Sequence, residues 1–267
     1  VLDDGTANGN TFIGTGTGSL TTSTGKNTFV GFHAGFLNNG LQNTFMGYNT
    51  GQANTGGSYN TFLGNECGVA NTLGSRNVYI GDSCGIANTN GDANVFIGQG
   101  SGDANTSGDE NVFIGTDAGG ANLSGDRNVL IGVNAGLHNL ANDNIFVGQN
   151  AGKANTNASS NIFIGTDAGL NNDFGQFNIF LGNDAGAANI NGTNNVYIGY
   201  LSGNAGTAQS NTFVGSSTGQ FSTTGQFNTF LGAQAGQDNT IASNNTFVGG
   251  LAGMNNTDGT DNAFVGQ

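Results

Sequence analysis

The chain has 267 residues, of which 50 are Gly, and it contains neither Pro nor Trp. Charged residues make up 8% of the sequence against the ~25% typical of a globular domain, and the net charge is −13. The four basic residues (Lys26, Arg76, Arg127 and Lys153) are too few and too scattered to form a surface for nucleic acid or for an anionic membrane. No apolar run approaches the ~20 residues of a membrane span, so we expect no membrane insertion in this segment.

One phrase, Asn-x-[Phe/Tyr/Leu]-[Ile/Val/Leu/Met]-Gly, recurs sixteen times along the chain. Its Asn stands at residues 10, 27, 43, 60, 77, 94, 111, 128, 144, 161, 178, 195, 211, 228, 245 and 262. The spacing is 17 residues, except after Asn27, Asn128 and Asn195, where it is 16. A fixed short period marks a repeat architecture. We therefore number each repeat from its Asn, so that Gly fills position 5 throughout and position 9 wherever the repeat is long enough.

The repeat accounts for almost the whole chain. We expect residues 1–9 to be a lead-in from a preceding segment and residues 10–267 to form a single β-solenoid repeat domain. The chain opens with Val1 rather than Met, and its last repeat stops at Gln267. Both ends therefore indicate a fragment of a longer fibre protein.

Each repeat is predicted to be one coil of a parallel β-solenoid. Seventeen residues are too few for a helix pair, and Gly at two fixed positions would weaken any helix. The apolar residues are β-branched and aromatic, which favours strands. We predict a strand at positions 2 to 4, a tight corner at the Gly of position 5, and one or two further short strands over positions 7 to 13. The fold class is thus all-β, a β-roll or β-helix of about sixteen 16–17-residue coils.

Asn is expected at the corners of this coil, at position 1 and near position 12. Asn tolerates left-handed backbone conformations, and stacked Asn amides can bond to one another along the coil axis. The three short repeats are expected to lose their residue in the loop before the next Asn. A deletion inside a strand would turn every later side chain to the opposite face.

The adjacent positions 3 and 4 are both apolar. Neighbouring side chains of a strand point to opposite faces, so one column fills the thin core with the small residues of position 8 and the other points outward. In mid-chain, position 2 also becomes apolar, as in Val78 and Ile145. A soluble monomer rarely exposes such a stripe, and we predict that identical chains cover it in a parallel homotrimer. The residues predicted to form this structural and oligomer ladder are Phe29, Phe62, Phe96, Phe113, Phe146, Phe163, Phe180, Phe213, Phe230, Phe247, Ile97, Ile114, Ile131, Ile164 and Ile198.

The residues that could carry chemistry are few. Cys67 and Cys84 occupy position 8 of consecutive repeats, where we interpret them as small core fillers. A separation of ~5 Å leaves a disulfide open as the alternative. His33 and His138 lie about six coils apart, too far for a catalytic Ser-His-Asp or Cys-His arrangement within one chain. The Gly-rich strings at 14–18 and 98–102 lack the Lys and the helix of a phosphate loop, so we expect no catalytic residue, no enzymatic activity and no cofactor.

Acidic residues recur in two columns of the repeat. The first column follows a third Gly of the repeat, at position 15, and contains Asp92, Asp109 and Asp126. The second column is position 7, with Asp117, Asp167 and Asp184. Stacked carboxylates can bind calcium through their oxygens. The chain lacks the GGxGxDxUx nonapeptide of calcium-binding β-rolls, so we interpret these acids as solvated charge and predict no metal.

The unit Asn-Thr-Phe-aliphatic-Gly-x-x-small-Gly-x-x-Asn-Thr-x-Gly, seen at residues 43–57 and 60–74, resembles two bacterial repeats. One is the head repeat of trimeric autotransporter adhesins, whose core phrase is similar to Asn-Ser-Val-Ala-Ile-Gly and which forms a trimeric left-handed β-roll. The other is the repeat of long surface-fibre and tail-fibre-like proteins that end in an intramolecular chaperone. The second likeness covers residues 10–267 and is the closer one, because the aromatic column and the longer unit depart from the adhesin head.

The predicted function is that of a structural and adhesive segment in a secreted homotrimeric surface fibre that projects a binding tip. Its partners would be copies of itself and a cell-surface glycan or protein receptor, and its location extracellular, on a bacterial or phage surface. The alternatives are a phage tail-fibre shaft and a surface-binding solenoid such as an ice-binding protein, since Thr recurs at position 13. That Thr column is interrupted, for example by Leu123 and Leu140, which favours the fibre.

Overall fold

The computed structural model describes residues 2–3, 9–22 and 25–266. The chain divides into two compact units, Val1–Ile131 and Gly132–Gln267. Within the described residues both units contain strands and turns but no helix. A helix long and apolar enough to cross a membrane is accordingly not found in this part of the chain.

The first unit consists of short strands stacked in register. Its strands are β1 (Leu2–Asp3), β2 (Thr11–Ile13), β3 (Thr28–Val30), β4 (Thr44–Met46), β5 (Thr61–Leu63), β6 (Val78–Ile80), β7 (Val95–Ile97), β8 (Val112–Ile114) and β9 (Val129–Ile131). From β2 to β9, each strand pairs in parallel with the next. β1 pairs antiparallel with β2, with Leu2 opposite Phe12. Most of the predicted lead-in, residues 1 and 4–8, lies outside the described residues.

The second unit repeats this arrangement. Its strands are β10 (Ile145–Val147), β11 (Ile162–Ile164), β12 (Ile179–Leu181), β13 (Val196–Ile198), β14 (Thr212–Val214), β15 (Thr229–Leu231), β16 (Thr246–Val248) and β17 (Ala263–Val265). Each again pairs in parallel with its successor. Every strand from β2 onward covers positions 2 to 4 of its repeat, which confirms the predicted parallel β-solenoid and its strand. The prediction of a single domain over residues 10–267 stays a prediction.

The further short strands predicted over positions 7 to 13 are wrong, because this part of the coil consists of turns. Position 7 and the Gly of position 9 both have left-handed backbones, as at Asn49 (φ 51°) and Gly51 (φ 59°). Two left-handed residues so close together break the alternation that a strand needs. The turns still bond to neighbouring coils, since Gly51 donates its N–H to the carbonyl of Cys67 at 2.9 Å.

A second left-handed column lies at the last position of the repeat. It includes bulky side chains such as Tyr59 (φ 62°), Phe177 (φ 58°) and Phe227 (φ 58°). A non-Gly residue pays roughly 1–2 kcal/mol for this conformation. Main-chain bonds between coils offset the cost, as when Tyr59 donates its N–H to the carbonyl of Leu41 at 2.9 Å.

The core of each coil is formed by three kinds of side chain. Position 3 supplies an aromatic ring except at Leu130, position 8 a small residue such as Ala34, and positions 1 and 12 supply Asn amides in most coils. Apart from the end coils, where Phe264 is 42% exposed, these side chains are almost fully buried. These Asn are absent from the left-handed residues, so the left-handed backbone expected of them is wrong. Their amides do bond along the stack, as predicted: Asn71 donates to the Asn54 carbonyl oxygen at 2.7 Å.

Candidate functional site

The aromatic column fills the interior of the coils. In the first unit the rings from Phe12 to Phe113 stack with centroids 4.6–5.1 Å apart. In the second unit the rings from Phe146 to Phe264 stack at 4.7–5.0 Å. All ten Phe of the predicted ladder have 0% exposed area. These Phe side chains are therefore core residues, and another chain cannot touch them.

The aromatic column also explains why position 9 is always Gly. A Cβ atom on Gly119 would lie 2.6 Å from the ring of Phe113, well inside contact distance. The backbone of Gly119 is also left-handed, with φ 59°. Steric exclusion and backbone conformation thus both require Gly beside each ring.

The five Ile of the predicted ladder lie on the opposite face of the strands and point outward. Ile97, Ile114, Ile131 and Ile198 are half-buried, and Ile164 is 38% exposed. Position 2 points to the same face, and no charged residue occupies position 2 or 4 in any repeat. We call these two columns the strand face. In the first unit its eight parallel strands span about 34 Å at ~4.8 Å per strand.

The acids of both columns have structural explanations. After the third Gly, each carboxylate accepts an N–H from the preceding coil: Asp92 donates its N–H to Asp109 at 2.7 Å, and Asp109 donates to Asp126 at 2.9 Å. At position 7, Asp117 and Asp167 have left-handed backbones, which Asp adopts more readily than most residues. Arg76 pairs with Asp92 at 3.3 Å near the surface.

The described residues bring no three His, Cys, Asp or Glu side chains together as a metal site would require. His33 packs its ring against Phe32 and Phe36, with centroid distances of 4.0 and 4.9 Å. The imidazole of His33 therefore lies between two aromatic neighbours.

The two Cys side chains are buried and unbridged, as core fillers should be. Cys84 donates its S–H to the carbonyl of Phe96 at 3.1 Å. Burial, reinforced by the neighbouring Cys84, raises the pKa of the Cys67 thiol well above its ordinary value. Thiols with this environment are poor nucleophiles at neutral pH.

The three short coils all lack the residue of position 14. In a full coil the position-12 amide donates to the carbonyl three residues later, as from Asn54 to Gly57 at 2.7 Å. In two short coils the acceptor is two residues later: Asn38 donates to Gly40 at 2.9 Å, and Asn139 donates to Ala141 at 3.0 Å. The third short coil has Gly206 at position 12, but Asn195 donates to Ala208 across 13 residues instead of 14.

The missing residues thus lie in the loop before the next Asn, as predicted. Strand register is preserved across the short coils from Asn27 and Asn195, where Thr28 pairs with Thr44 and Val196 with Thr212.

The missing residue of the coil from Asn195 leaves a depression, which we call the notch. Its volume is about 270 Å³. The residues that line it are Asn191, Gly192, Thr207, Ala208, Gln209, Thr224 and Gln226. No lining residue is charged. The notch was missed from the sequence, although the 16-residue spacing after Asn195 is its signal.

Comparison of the chain with protein-family models, with curated proteins and with solved structures found no match.

Proposed function

We propose that this chain is a structural and adhesive segment of a secreted homotrimeric surface fibre that projects a binding tip from a bacterial or phage surface. The observation that carries the proposal is the uncharged strand face. It exposes aliphatic side chains at position 4 along each unit, while the acidic side chains lie in other columns.

The reason for a covering partner is the extent of this face. Leu63, Leu181 and Leu231 are 41–48% exposed, and each stands in an unbroken apolar column. Contiguous apolar surface of this kind is usually an interface. A second copy matches it best, because its strand face has the same ~4.8 Å period and equally lacks charge. Copies arranged in parallel about one axis would bury all faces at once.

The coil itself suits a load-bearing segment. Main-chain hydrogen bonds join successive coils at several positions of each repeat, and the Asn amides add a second set inside. Pulling along the stack would have to break these bonds together.

The ice-binding alternative depends on free Thr hydroxyls at position 13. Those of Thr72, Thr89 and Thr240 donate to main-chain carbonyls of the next coil at 2.9–3.0 Å. These hydroxyls have used their only donor within the protein and can only accept from water, which supports the fibre over this alternative. Absence of thermal hysteresis in dilute solution is the expected result.

The test of the fibre proposal is the mass of the protein in solution. We expect a mass near three times 26.8 kDa at micromolar concentration, measured by sedimentation equilibrium. The variant Ile114→Asp places a charge on the strand face and should yield a folded monomer. The matched control Thr116→Asp adds the same charge at an exposed position outside the strand face and should leave the mass unchanged. A wild-type protein that stays monomeric would refute the proposal.

A further inference from the structure

The notch in the second unit has the features of a small binding site. Position 14 forms a column on the surface, occupied by Asn191 in the coil before the notch and by Thr224 in the coil after it. The intervening coil has no residue there, so the column is interrupted by a gap rather than by a smaller side chain. A gap of about 270 Å³ is slightly smaller than the ligand pockets of drug-sized molecules, which span ~300–1,000 Å³, and so can hold only a small ligand or one unit of a larger one.

The polar groups around the gap are not all used by the protein itself. Gln209 donates its amide to the Gln226 oxygen at 3.1 Å, which fixes both side chains. The side-chain amide of Asn191, the hydroxyl of Thr224 and the side-chain Nε2 of Gln226 have no hydrogen bond within the described chain. They offer donors and acceptors together, without a charge. Such a set fits a ligand rich in hydroxyl groups better than it fits an ion.

Apolar side chains flank this polar gap along the same column. Phe174 stands in the coil before that of Asn191 and is 54% exposed. Ile241 stands in the coil after that of Thr224 and is 59% exposed. At ~4.8 Å per coil, Phe174 lies about 10 Å from the centre of the gap. An aromatic ring at that distance can pack against the apolar face of a second ring in a longer ligand.

From these observations we infer that the notch binds a neutral saccharide, with one sugar unit in the gap and hydrogen bonds to Asn191, Thr224 and Gln226. The hydroxyls of one sugar ring pair with the amides and the hydroxyl around the gap, and in a longer saccharide the apolar face of a second ring packs on Phe174. An acidic sugar is disfavoured, because the chain carries a net charge of −13 and no basic residue lines the notch. The inference rests on the proposed adhesive function for its biological setting, but sugar binding and assembly are measured separately.

The test uses the full chain and ligand-observed saturation-transfer NMR with galactose, glucose, mannose and N-acetylglucosamine at millimolar concentration. We expect transfer to at least one of these sugars and none to sialic acid. One Asn inserted between Thr207 and Ala208 restores the full coil and fills the gap, so it should abolish the transfer. The same insertion between Leu140 and Ala141 restores a different short coil of the same unit and should leave the transfer intact.

A second variant keeps the test decisive if the insertion disturbs folding. Thr224→Val removes one exposed hydroxyl and should weaken sugar binding about two- to tenfold, the usual value of one hydrogen bond. Thr166→Val, also exposed but remote in the repeat, should have no effect. Absence of transfer to every sugar, or equal transfer in wild type and in the folded insertion variant, would overturn the inference. Solution mass on the same samples reports on the trimer alone, so either proposal can fail without the other.

Discussion

The side chain of Asn88 illustrates how a buried amide serves this fold. Its nitrogen donates to the Asn71 oxygen at 3.0 Å and to the Gly91 carbonyl at 3.1 Å. Its oxygen accepts from the Gly91 N–H at 3.1 Å and from the Asn105 amide at 3.0 Å. Every polar atom of the side chain is thereby satisfied without water. Asn suits this column because a short amide both donates and accepts along the coil axis.

Replacing Asn88 by Ala should therefore destabilise the fold strongly. The change leaves buried partners in three neighbouring residues unsatisfied, at ~1–3 kcal/mol each, so we expect a loss of about 3 kcal/mol or more in the free energy of unfolding. Urea denaturation followed by circular dichroism measures it. The control Asn90→Ala removes an exposed amide with no hydrogen bond to the described chain, and it should change stability by less than ~0.5 kcal/mol. Equal effects of the two substitutions would contradict this account.

The thiols of Cys67 and Cys84 provide a second prediction for single residues. Both side chains have 0% exposed area, and burial raises the pKa of Cys67. We expect no reaction with Ellman's reagent in the native protein at pH 8 and two reactive thiols per chain in guanidinium without a reducing agent. Finding none in the denatured protein would instead demonstrate the disulfide.

Within a coil, the strand tolerates less change than the loop. The strand carries three side chains with fixed directions, while the loop before the next Asn already occurs in two lengths. The aromatic stack depends on this register, because Phe29 faces Phe45 across the short coil from Asn27 as directly as Phe45 faces Phe62 across a full coil.

One inserted residue should consequently have opposite effects at these two places. An Asn inserted between Asn39 and Gly40 restores position 14, and we expect a change in the thermal midpoint of only a few degrees. An Asn inserted between Phe45 and Met46 turns the following side chain of the strand to the other face, which buries a polar group or exposes the ring. We expect that variant to unfold the surrounding coils, with loss of β circular dichroism. Similar midpoints for the two insertions would show that register does not limit stability.

For the molecule as a whole, the two faces of the strand have different tasks. The inward face builds the core of each unit, whereas the outward strand face keeps apolar side chains in contact with water in a single chain. The net charge of −13 limits nonspecific clumping, and the absence of charge from the strand face leaves that surface free for a specific partner.

If folding is coupled to assembly, stability must depend on protein concentration. We expect the thermal midpoint of the wild type to rise measurably over a hundredfold increase in concentration, because mass action favours the assembled state. The midpoint of Ile114→Asp should be independent of concentration. Differential scanning fluorimetry over a dilution series distinguishes the two, and a constant wild-type midpoint would argue against a trimer in this range.

Several features followed from the sequence alone, because they depend on periodicity. The recurring Asn and the apolar pair at positions 3 and 4 predicted the parallel coil, the strand at positions 2 to 4 and the opposite directions of the two columns. The spacing after Asn195 also placed the deletion in the loop. These predictions need only the alternation of strand side chains and the cost of breaking register.

Other features were decided by the tertiary structure. Which column is inward was settled by packing, since Phe113 stacks on Phe96 in a core too narrow for both columns. The left-handed last position could not be predicted, because residues as different as Lys26, Tyr59 and Ala93 occupy it and only hydrogen bonds between coils hold it. The notch could not be predicted from the sequence either. A missing residue leaves a cavity only if the side chains of the two neighbouring coils do not move into the space, and the tertiary structure decides that.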